Sequence, residues 1–385
     1  MSKLEELIQK LCPNGVEYKP LGELCEIKKG KQLNKDGLLE QGKYPVINGG
    51  INPSGYWNEY NFEKNLITIS QGGASAGYVN FITTRFWAGA HCYVLVNPKN
   101  CLNYRLLYHI VKNYEKELMS AQVGAGIPSV SSNKLASLSI PVPPIEVQEE
   151  IVRILDKFTE LSAELSAELS ARKKQYNYFC DKLLTQSNHI SYKKVKDLAK
   201  FTYGFTDKAK DAGNVRYIRI TDIDETGCLK HDDKKFLNIS ENNHSYLLKK
   251  GDLVMARTGA TFGKTLYFED NEPSIYASFL IKIELDNNKI LNRFYWHFSK
   301  SSLYWEQANN LVSTGGQPQF NTGAIGQVVV PVPPLEEQER IVAILDRFDK
   351  ICNDISEGLP AEIEARQKQY EYYRDKLLTF EEIAQ

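Results

Sequence analysis

The sequence predicts an α+β protein made of two similar halves, in which two compact domains are joined by two long helices of repeated sequence. Three observations support this fold class: a duplication of about 190 residues, a helical stripe of apolar residues in each copy, and short β-rich runs before each helical segment. With 385 residues, 42% of them hydrophobic, the chain is long enough for two or three domains with their own cores.

The duplication is clearest in two helical segments. Residues 141–158 read PVPPIEVQEEIVRILDKF, and residues 331–348 read PVPPLEEQERIVAILDRF. Further on, RKKQYNYFCDKLLT from Arg172 returns as RQKQYEYYRDKLLT from Arg366. Two such blocks in the same order indicate an internal repeat.

The repeat is also circular. Lys10-Leu11 stands before the first domain where Lys182-Leu183 stands before the second, so the start of the chain matches the end of the middle helical segment. We therefore expect the two termini to lie near each other.

Each Pro-Val-Pro-Pro run begins a predicted helix, because proline fits the first helical turn and the acids that follow suit the positive end of the helix dipole. Apolar residues then recur every three or four positions, as in a coiled coil. The first helix would run for about 40 residues, or roughly 60 Å. Two helices with the same stripe should pack on each other. Gly358-Leu359-Pro360 interrupts the second stripe, and we expect a break there.

The chain therefore divides into four segments: residues 1–142 (N-terminal helix and first α+β domain), 143–185 (central helical spacer), 186–330 (second α+β domain) and 331–385 (C-terminal helical region). Their net charges are +4, −2, +3 and −6 in that order. A nucleic-acid partner would bind the two basic domains, since neutralisation of phosphates drives such binding. The acidic helical segments are better suited to protein partners.

The composition also excludes several classes of protein. Seven scattered Cys without a C-x-x-C pair indicate a reducing compartment and no structural zinc. No apolar run approaches the ~18–20 residues of a membrane span. The start, MSKLEELIQKL, is amphipathic and acidic, unlike a signal peptide. We expect a soluble cytoplasmic protein.

No catalytic constellation is apparent. The GATFGKT run from Gly259 has three residues between its glycines, where a P-loop has four. Glu26-Ile27-Lys28 ends like a nuclease acid-x-Lys signature, but no Asp precedes it. The six His are isolated, without a pair at i, i+4 for a metal. The sequence therefore predicts a protein that does no chemistry itself and binds no metal.

The duplicated PVPPLEEQERIVAILDRF and RQKQYEYYRDKLL, each closing an α+β block, resemble the specificity (S) subunit of type I restriction–modification enzymes. YPVINGG and LITISQGGASAGYV are similar to the target recognition domains of that family. The resemblance implies two globular target recognition domains that each read one half of a bipartite, asymmetric DNA site. It also implies that the two repeated helices form an antiparallel coiled coil, which sets the spacing. A ~60 Å rod would hold half-sites on the order of 10–20 base pairs apart.

The resemblance further implies a set of partners. These are double-stranded DNA, two methyltransferase (M) subunits docked on the helices, and motor/nuclease (R) subunits of the restriction system. S-adenosylmethionine, ATP and Mg would be used by those subunits, so this non-catalytic chain would carry no cofactor.

For base contacts we favour polar side chains next to glycine loops, where the backbone can approach DNA closely. Gln71 and Arg257 precede equivalent Gly-rich loops, and Arg reads guanine where Gln reads adenine. A second loop in each half aligns residues 123–128 with 313–318. The other candidates for base contact are Ser75, Ser129, Thr261, Lys264, Gln317 and Gln319. The candidates for phosphate contact follow a strand in each domain and are Lys28, Lys29, Lys31, Lys208 and Lys210.

Two other functions remain open. A scaffold protein would use the paired helices to assemble partners without DNA, and would bind no duplex even with the methyltransferase present. The chain could instead be an enzyme acting alone, such as a nuclease or methyltransferase. Methyl transfer by the isolated chain would support this alternative.

Overall fold

The computed structural model describes residues 2–34, 37–120, 129–185, 190–313, 316–354 and 357–383. The chain folds into two compact units. Unit 1 comprises Met1–Glu164 and Glu364–Gln385, and unit 2 comprises Leu165–Ile363. Each unit therefore takes a share of both helical regions, and the four-segment division drawn from the sequence stays a prediction.

Unit 1 begins with a helix whose N-terminus is closed by a capping box between Ser2 and Glu5. The remaining elements are short strands and four further helices. In chain order they are α1 (Lys3–Leu11), β1 (Glu17–Pro20), α2 (Leu21–Leu24), β2 (Glu26–Lys29), β3 (Tyr44–Ile47), β4 (Tyr56–Trp57), β5 (Leu66–Ser70), β6 (Val79–Ile82), β7 (Trp87–Ala88), β8 (Cys92–Val96), α3 (Tyr104–Asn113), α4 (Glu115–Ser120), α5 (Ser132–Ala136) and β9 (Ser139–Val142).

The long helix α6 (Ile145–Thr185) belongs to both units and leads into unit 2. Proline and glycine are absent from it, and its SAELSAELSA stretch consists largely of strong helix formers. The elements that follow are β10 (Ser191–Lys194), β11 (Ala199–Tyr203), β12 (Val215–Ile218), β13 (Phe236–Leu237), β14 (Leu253–Ala256), β15 (Thr265–Tyr267), β16 (Ser274–Tyr276), β17 (Leu280–Leu285), α7 (Asn292–Phe298), α8 (Ser302–Leu311), α9 (Thr322–Gln327), β18 (Val329–Val332), α10 (Leu335–Asn353) and α11 (Leu359–Leu378).

The three sheets of unit 1 return in unit 2 with the same strand order. The four-stranded sheets are β2-β8-β5-β6 and β11-β17-β14-β15, all antiparallel. The three-stranded sheets, β4-β3-β7 and β13-β12-β16, each contain one parallel pair. The two-stranded sheets, β1-β9 and β10-β18, close each half. This identity of topology confirms the internal repeat and the α+β class.

Within each unit the two helical segments run antiparallel. In unit 1, Phe158 stacks on Tyr373 with ring centroids 5.4 Å apart, while Ser162, farther along α6, lines a cavity with the earlier residue Gln367. In unit 2, Phe179 stacks on Phe348 at 5.5 Å, and the earlier Lys173 shares a cavity with the later Cys352. Residue numbers therefore increase along one segment where they decrease along the other. The two segments are antiparallel, as predicted.

The predicted break and the predicted meeting of the termini are both present. Helix α10 ends at Asn353 and α11 begins at Leu359, next to Pro360. The Val16 N–H donates to the Glu381 carbonyl at 2.8 Å, and the Ile383 N–H donates to the Val16 carbonyl at 3.1 Å. Within the described residues, no helix is long and apolar enough to cross a membrane.

A buried glutamine fastens the start of each long helix to the domain before it. In unit 1, the Gln148 amide oxygen accepts the Asn103 N–H at 2.7 Å, and its nitrogen donates to the Pro143 carbonyl. In unit 2, Gln338 makes the same bonds with the Leu291 N–H and the Pro333 carbonyl. Neither glutamine is exposed, so each amide must be satisfied within the protein.

A buried histidine then joins each sheet domain to both helical segments. In unit 1, Asp156 accepts the Arg105 Nε–H and lies 2.8 Å from Nε2 of His109. The other ring nitrogen, Nδ1, lies 3.2 Å from the Tyr370 hydroxyl. This geometry suits a neutral imidazole that donates to the carboxylate and accepts from the tyrosine. Helix α3 is thereby bonded to α6 and α11.

Unit 2 repeats this arrangement, with its tyrosine taken from the other long helix. Asp346 lies 2.8 Å from Nε of Arg293 and 2.7 Å from Nε2 of His297, and the Tyr176 hydroxyl lies 3.0 Å from His297 Nδ1. The tyrosine comes from the middle of the chain here and from its end in unit 1, as the circular repeat requires. The two sets of four residues are called the histidine networks.

The histidine networks predict a stability that falls on mild acidification. Burial lowers the pKa of His109 and His297 below the ordinary value of 6.5, although their carboxylate partners oppose the shift. Below pH 6.5 the unfolded chain therefore binds more protons than the folded one. The stabilisation is complete above pH 6.5 and is lost as the pH falls through the lowered pKa values. We expect the free energy of unfolding, measured in urea, to fall between pH 7 and pH 5.

Glutamine offers the matched control for this prediction, because its amide can donate to the aspartate and accept from the tyrosine without titrating. The double variant His109→Gln, His297→Gln should lose most of the pH dependence in this range. Burial raises the pKa values of Asp156 and Asp346, but hydrogen bonds from histidine and arginine outweigh it and lower both below 3.8. These groups therefore titrate only in stronger acid. An unchanged pH dependence in the double variant would contradict the assignment.

Candidate nucleic-acid interface

The inner strands β5 and β14 end in loops of the same backbone geometry. The Gln71 N–H donates to the His91 carbonyl at 2.9 Å, and the Arg257 N–H donates to the Phe279 carbonyl at 3.0 Å. The carbonyl of Gln71 accepts the Val130 N–H, as that of Arg257 accepts the Phe320 N–H. Gln71 and Arg257 therefore occupy equivalent places at the end of each sheet.

The structure brings a second predicted loop to each of these places. Ser129 pairs with Gly72 in unit 1, and Gln319 pairs with Thr258 in unit 2. The next residues, Gly73 and Gly259, have φ values of +84° and +71°, which other residues adopt only with strain. Both loops thus turn sharply, directly beside the candidate residues.

In unit 2 the Arg257 side chain is held from several directions. Its Nε–H donates to the Ser278 carbonyl at 3.0 Å, and Nη1 donates to the Gln319 amide oxygen at 3.3 Å. The guanidinium also lies over the rings of Tyr203 and Phe279, 5.3 Å and 5.4 Å from their centroids. Tyr203, Arg257, Phe279 and Gln319 together form what we call the strand-end cluster.

The corresponding place in unit 1 has different side chains. Gln71 is half-buried, and its amide oxygen is buried without a hydrogen-bond partner among the described residues. Burial raises the pKa of the nearby Tyr93 phenol, and the Ser132 backbone and the Gln71 side chain partly offset that rise. His91 and Ser129 are exposed beside it. His91 and Ser129 are therefore the more exposed polar residues at this place, and Gln71 is the less exposed one.

Sequence reasoning did not find His91, Tyr203 and Phe279. Phe279 comes just before β17 and is 52% exposed, whereas the strand that follows is largely buried. An exposed aromatic residue just before a buried strand is a sequence pattern that can indicate a binding position. However, only the pairing of β17 with β14 places it beside Arg257.

The five candidate lysines are all exposed. Lys31, Lys208 and Lys210 follow a strand as predicted, whereas Lys28 and Lys29 lie inside β2. Lys28 forms an ion pair with Glu26 at 3.3 Å on this exposed strand. Solvent-exposed ion pairs of this kind are weak, so the ammonium group is available to a phosphate.

The other loop candidates have separate surroundings. Lys264 forms an ion pair with Glu225 at 2.6 Å and lines a cavity with Lys173 and Lys300, so its side chain is engaged apart from the strand-end cluster. The Thr261 hydroxyl donates to the Thr258 carbonyl within its own loop.

The last two loop candidates differ in exposure: Ser75 is half-buried, and Gln317 is exposed beside Gly259. Residues 123–128, 314 and 315 of the aligned second loops lie outside the described residues.

The GATFGKT loop leads into strand β15, whereas a P-loop leads into a helix. In the part of the chain that the structure describes, no three His, Cys, Asp or Glu side chains come together as a metal site.

Comparison with known proteins identifies the family. The profile described as "Type I restriction modification DNA specificity domain" matches residues 13–172 and again residues 189–365. The chain belongs to this family. Its two matches correspond to the two copies of the internal repeat.

Relatives over the full length of the chain agree with this membership. A type I restriction enzyme specificity subunit of Haemophilus influenzae is 32% identical over 394 residues, covering 98% of each chain. The specificity subunit of a type I restriction enzyme of Escherichia coli is 30% identical over 403 residues, covering 99% of this chain and 97% of the relative.

Solved structures of the family share the fold. The S subunit of a type I system from M. genitalium matches with a TM-score of 0.62 at 20% identity, over 94% of this chain and 96% of that one. A chain from a study of complex assembly in a type I restriction–modification system matches with a TM-score of 0.58 at 15% identity, over 96% and 98%.

Proposed function

We propose that this specificity-family chain reads a bipartite, asymmetric DNA site, with each unit binding one half. The observation that carries the proposal is the strand-end loop repeated in both units with different side chains. Gln71, His91 and Ser129 in unit 1 stand where Arg257, Phe279 and Gln319 stand in unit 2. An equivalent backbone with different polar groups would dock two DNA segments alike while reading different bases.

Phosphate and base contacts would come from different parts of each unit. The exposed lysines would neutralise phosphates and position the duplex. The loop side chains would read base edges or hold in place the side chains that do. The residues proposed for DNA binding are Lys28, Lys29, Lys31, Gln71, Ser75, Ser129, Lys208, Lys210, Arg257, Thr261, Lys264, Gln317 and Gln319.

The partners would be two copies of a methyltransferase subunit and, for cleavage, motor/nuclease subunits. Each unit exposes the same three apolar positions on its helical segments, which suits one copy of a common partner per unit. These positions are Ile145, Leu161 and Tyr372 in unit 1 and Leu335, Ile351 and Tyr178 in unit 2. S-adenosylmethionine, ATP and Mg would be bound by those subunits, and this chain would contribute no catalytic group.

Methylation mapping tests the proposed function. Cells that carry this chain with its methyltransferase subunit should methylate adenine in one split sequence, and cells that lack the chain should leave that sequence unmodified. The purified complex should bind a duplex with this sequence more tightly than a scrambled duplex. Equal binding to both duplexes would support a scaffold role, and methylation by the isolated chain would support an enzyme acting alone.

The length of α6 should set the number of base pairs between the half-sites. Seven residues inserted into the SAELSAELSA stretch keep the apolar stripe in phase and add about 10.5 Å, or roughly three base pairs. We expect a longer spacer with both half-site sequences unchanged, as measured by methylation mapping. A spacer that stays the same in a folded, active variant would refute this role of the helix.

Lysine and arginine substitutions should have separable effects. Arg257→Ala should relax one base position of one half-site by ~1–3 kcal/mol. Lys28→Ala with Lys29→Ala should weaken binding to all duplexes alike and flatten its salt dependence, because fewer counterions are released. The charge-preserving pair Lys28→Arg, Lys29→Arg is the control. Titrations of the methyltransferase complex at several salt concentrations measure both effects, and a sequence-specific loss in the alanine pair would argue against phosphate contact.

A further inference from the structure

The amide of Gln319 is already engaged inside the strand-end cluster. Its oxygen accepts the Arg257 Nη1–H at 3.3 Å, and its nitrogen donates to the Thr258 hydroxyl at 2.9 Å. The Thr258 hydroxyl in turn donates to the Pro318 carbonyl at 3.2 Å. The side chain of Gln319 thus connects the two loops and is turned toward Arg257.

These contacts leave one edge of Arg257 available. A guanidinium has five N–H groups. In Arg257 the Nε–H donates to the Ser278 carbonyl, and one Nη1–H donates to the Gln319 amide oxygen. The remaining three belong to the two Nη atoms, which form the end of the side chain. The rings of Tyr203 and Phe279 lie against the group and restrict its plane. A planar pair of donors fits the N7 and O6 acceptors on the major-groove edge of guanine.

We propose that Gln319 is a positioning residue that aims Arg257 at a guanine, and that it does not read a base itself. The inference rests on the proposed function, since it concerns the half-site that unit 2 would bind. It also assigns that half-site a guanine. Because Gln319 is neutral, it orients the guanidinium without cancelling the positive charge that attracts the guanine acceptors.

Unit 1 supplies the natural comparison. Ser129 stands where Gln319 stands, is exposed, and lies beside a glutamine rather than an arginine. The fold therefore accommodates a serine at this position of the repeated loop. A serine at position 319 would be too short to hydrogen-bond Arg257. This makes Gln319→Ser a variant that should fold, and Gln319→Glu a variant that keeps an oxygen acceptor at the same distance.

The experiment uses the full chain in complex with its methyltransferase subunit and duplexes that carry the methylated sequence. Each guanine is replaced in turn by 7-deazaguanine, which lacks the N7 acceptor. In the unaltered complex we expect one such guanine to weaken binding roughly tenfold, an effect of the size expected for a bidentate pair. The same replacement should have no effect in Arg257→Ala, which identifies the guanine that Arg257 reads.

Gln319→Ser should reduce the ratio of affinities for guanine and 7-deazaguanine at that position alone, and Gln319→Glu should retain it even if overall affinity falls. Gln367→Ser, which shortens a glutamine of α11 outside the residues proposed for DNA binding, should leave the ratio unchanged. A thermal melt of each variant checks that it is folded. The inference is overturned if folded Gln319→Ser keeps the full ratio, if its effect falls on a different base, or if no 7-deazaguanine effect depends on Arg257. A complex without any sequence preference would instead overturn the proposed function.

Discussion

The buried histidine of each unit is the interaction on which the rest of the structure depends. His109 and His297 are fully buried, and each is hydrogen-bonded on both ring nitrogens by residues from two different helical segments. A buried imidazole with two fixed partners tolerates little displacement, because a lost bond would leave a polar group unsatisfied. Each sheet domain is therefore held in one orientation on its pair of helical segments.

Gln148 and Gln338 add a second attachment at the start of each long helix. Their amides bond only backbone groups, so the attachment does not depend on which side chains the domain carries. The domain can change its surface while the helix remains fixed to it. A frame of this kind suits a protein whose two halves share a backbone and differ in what they bind.

The strand-end loops show the same separation of frame and surface. The hydrogen bonds that shape them join backbone atoms of Gln71, His91 and Val130 in unit 1, and of Arg257, Phe279 and Phe320 in unit 2. The side chains at these positions differ in size, charge and polarity without any change in this pattern. The side chains at these positions can therefore vary with little effect on the fold.

The sequence by itself determined the circular repeat, the α+β class and the break at Gly358. These features follow from local patterns or from repetition, which are readable along the chain. The resemblance to a known family implied the antiparallel arrangement of the helical segments. Only the tertiary structure decided the histidine networks, whose members come from three distant segments, and the place of Phe279 beside Arg257. It also showed that Lys264 pairs with Glu225 and that Gln319 turns toward Arg257, since the direction of a loop side chain depends on neighbours that sheet pairing brings together.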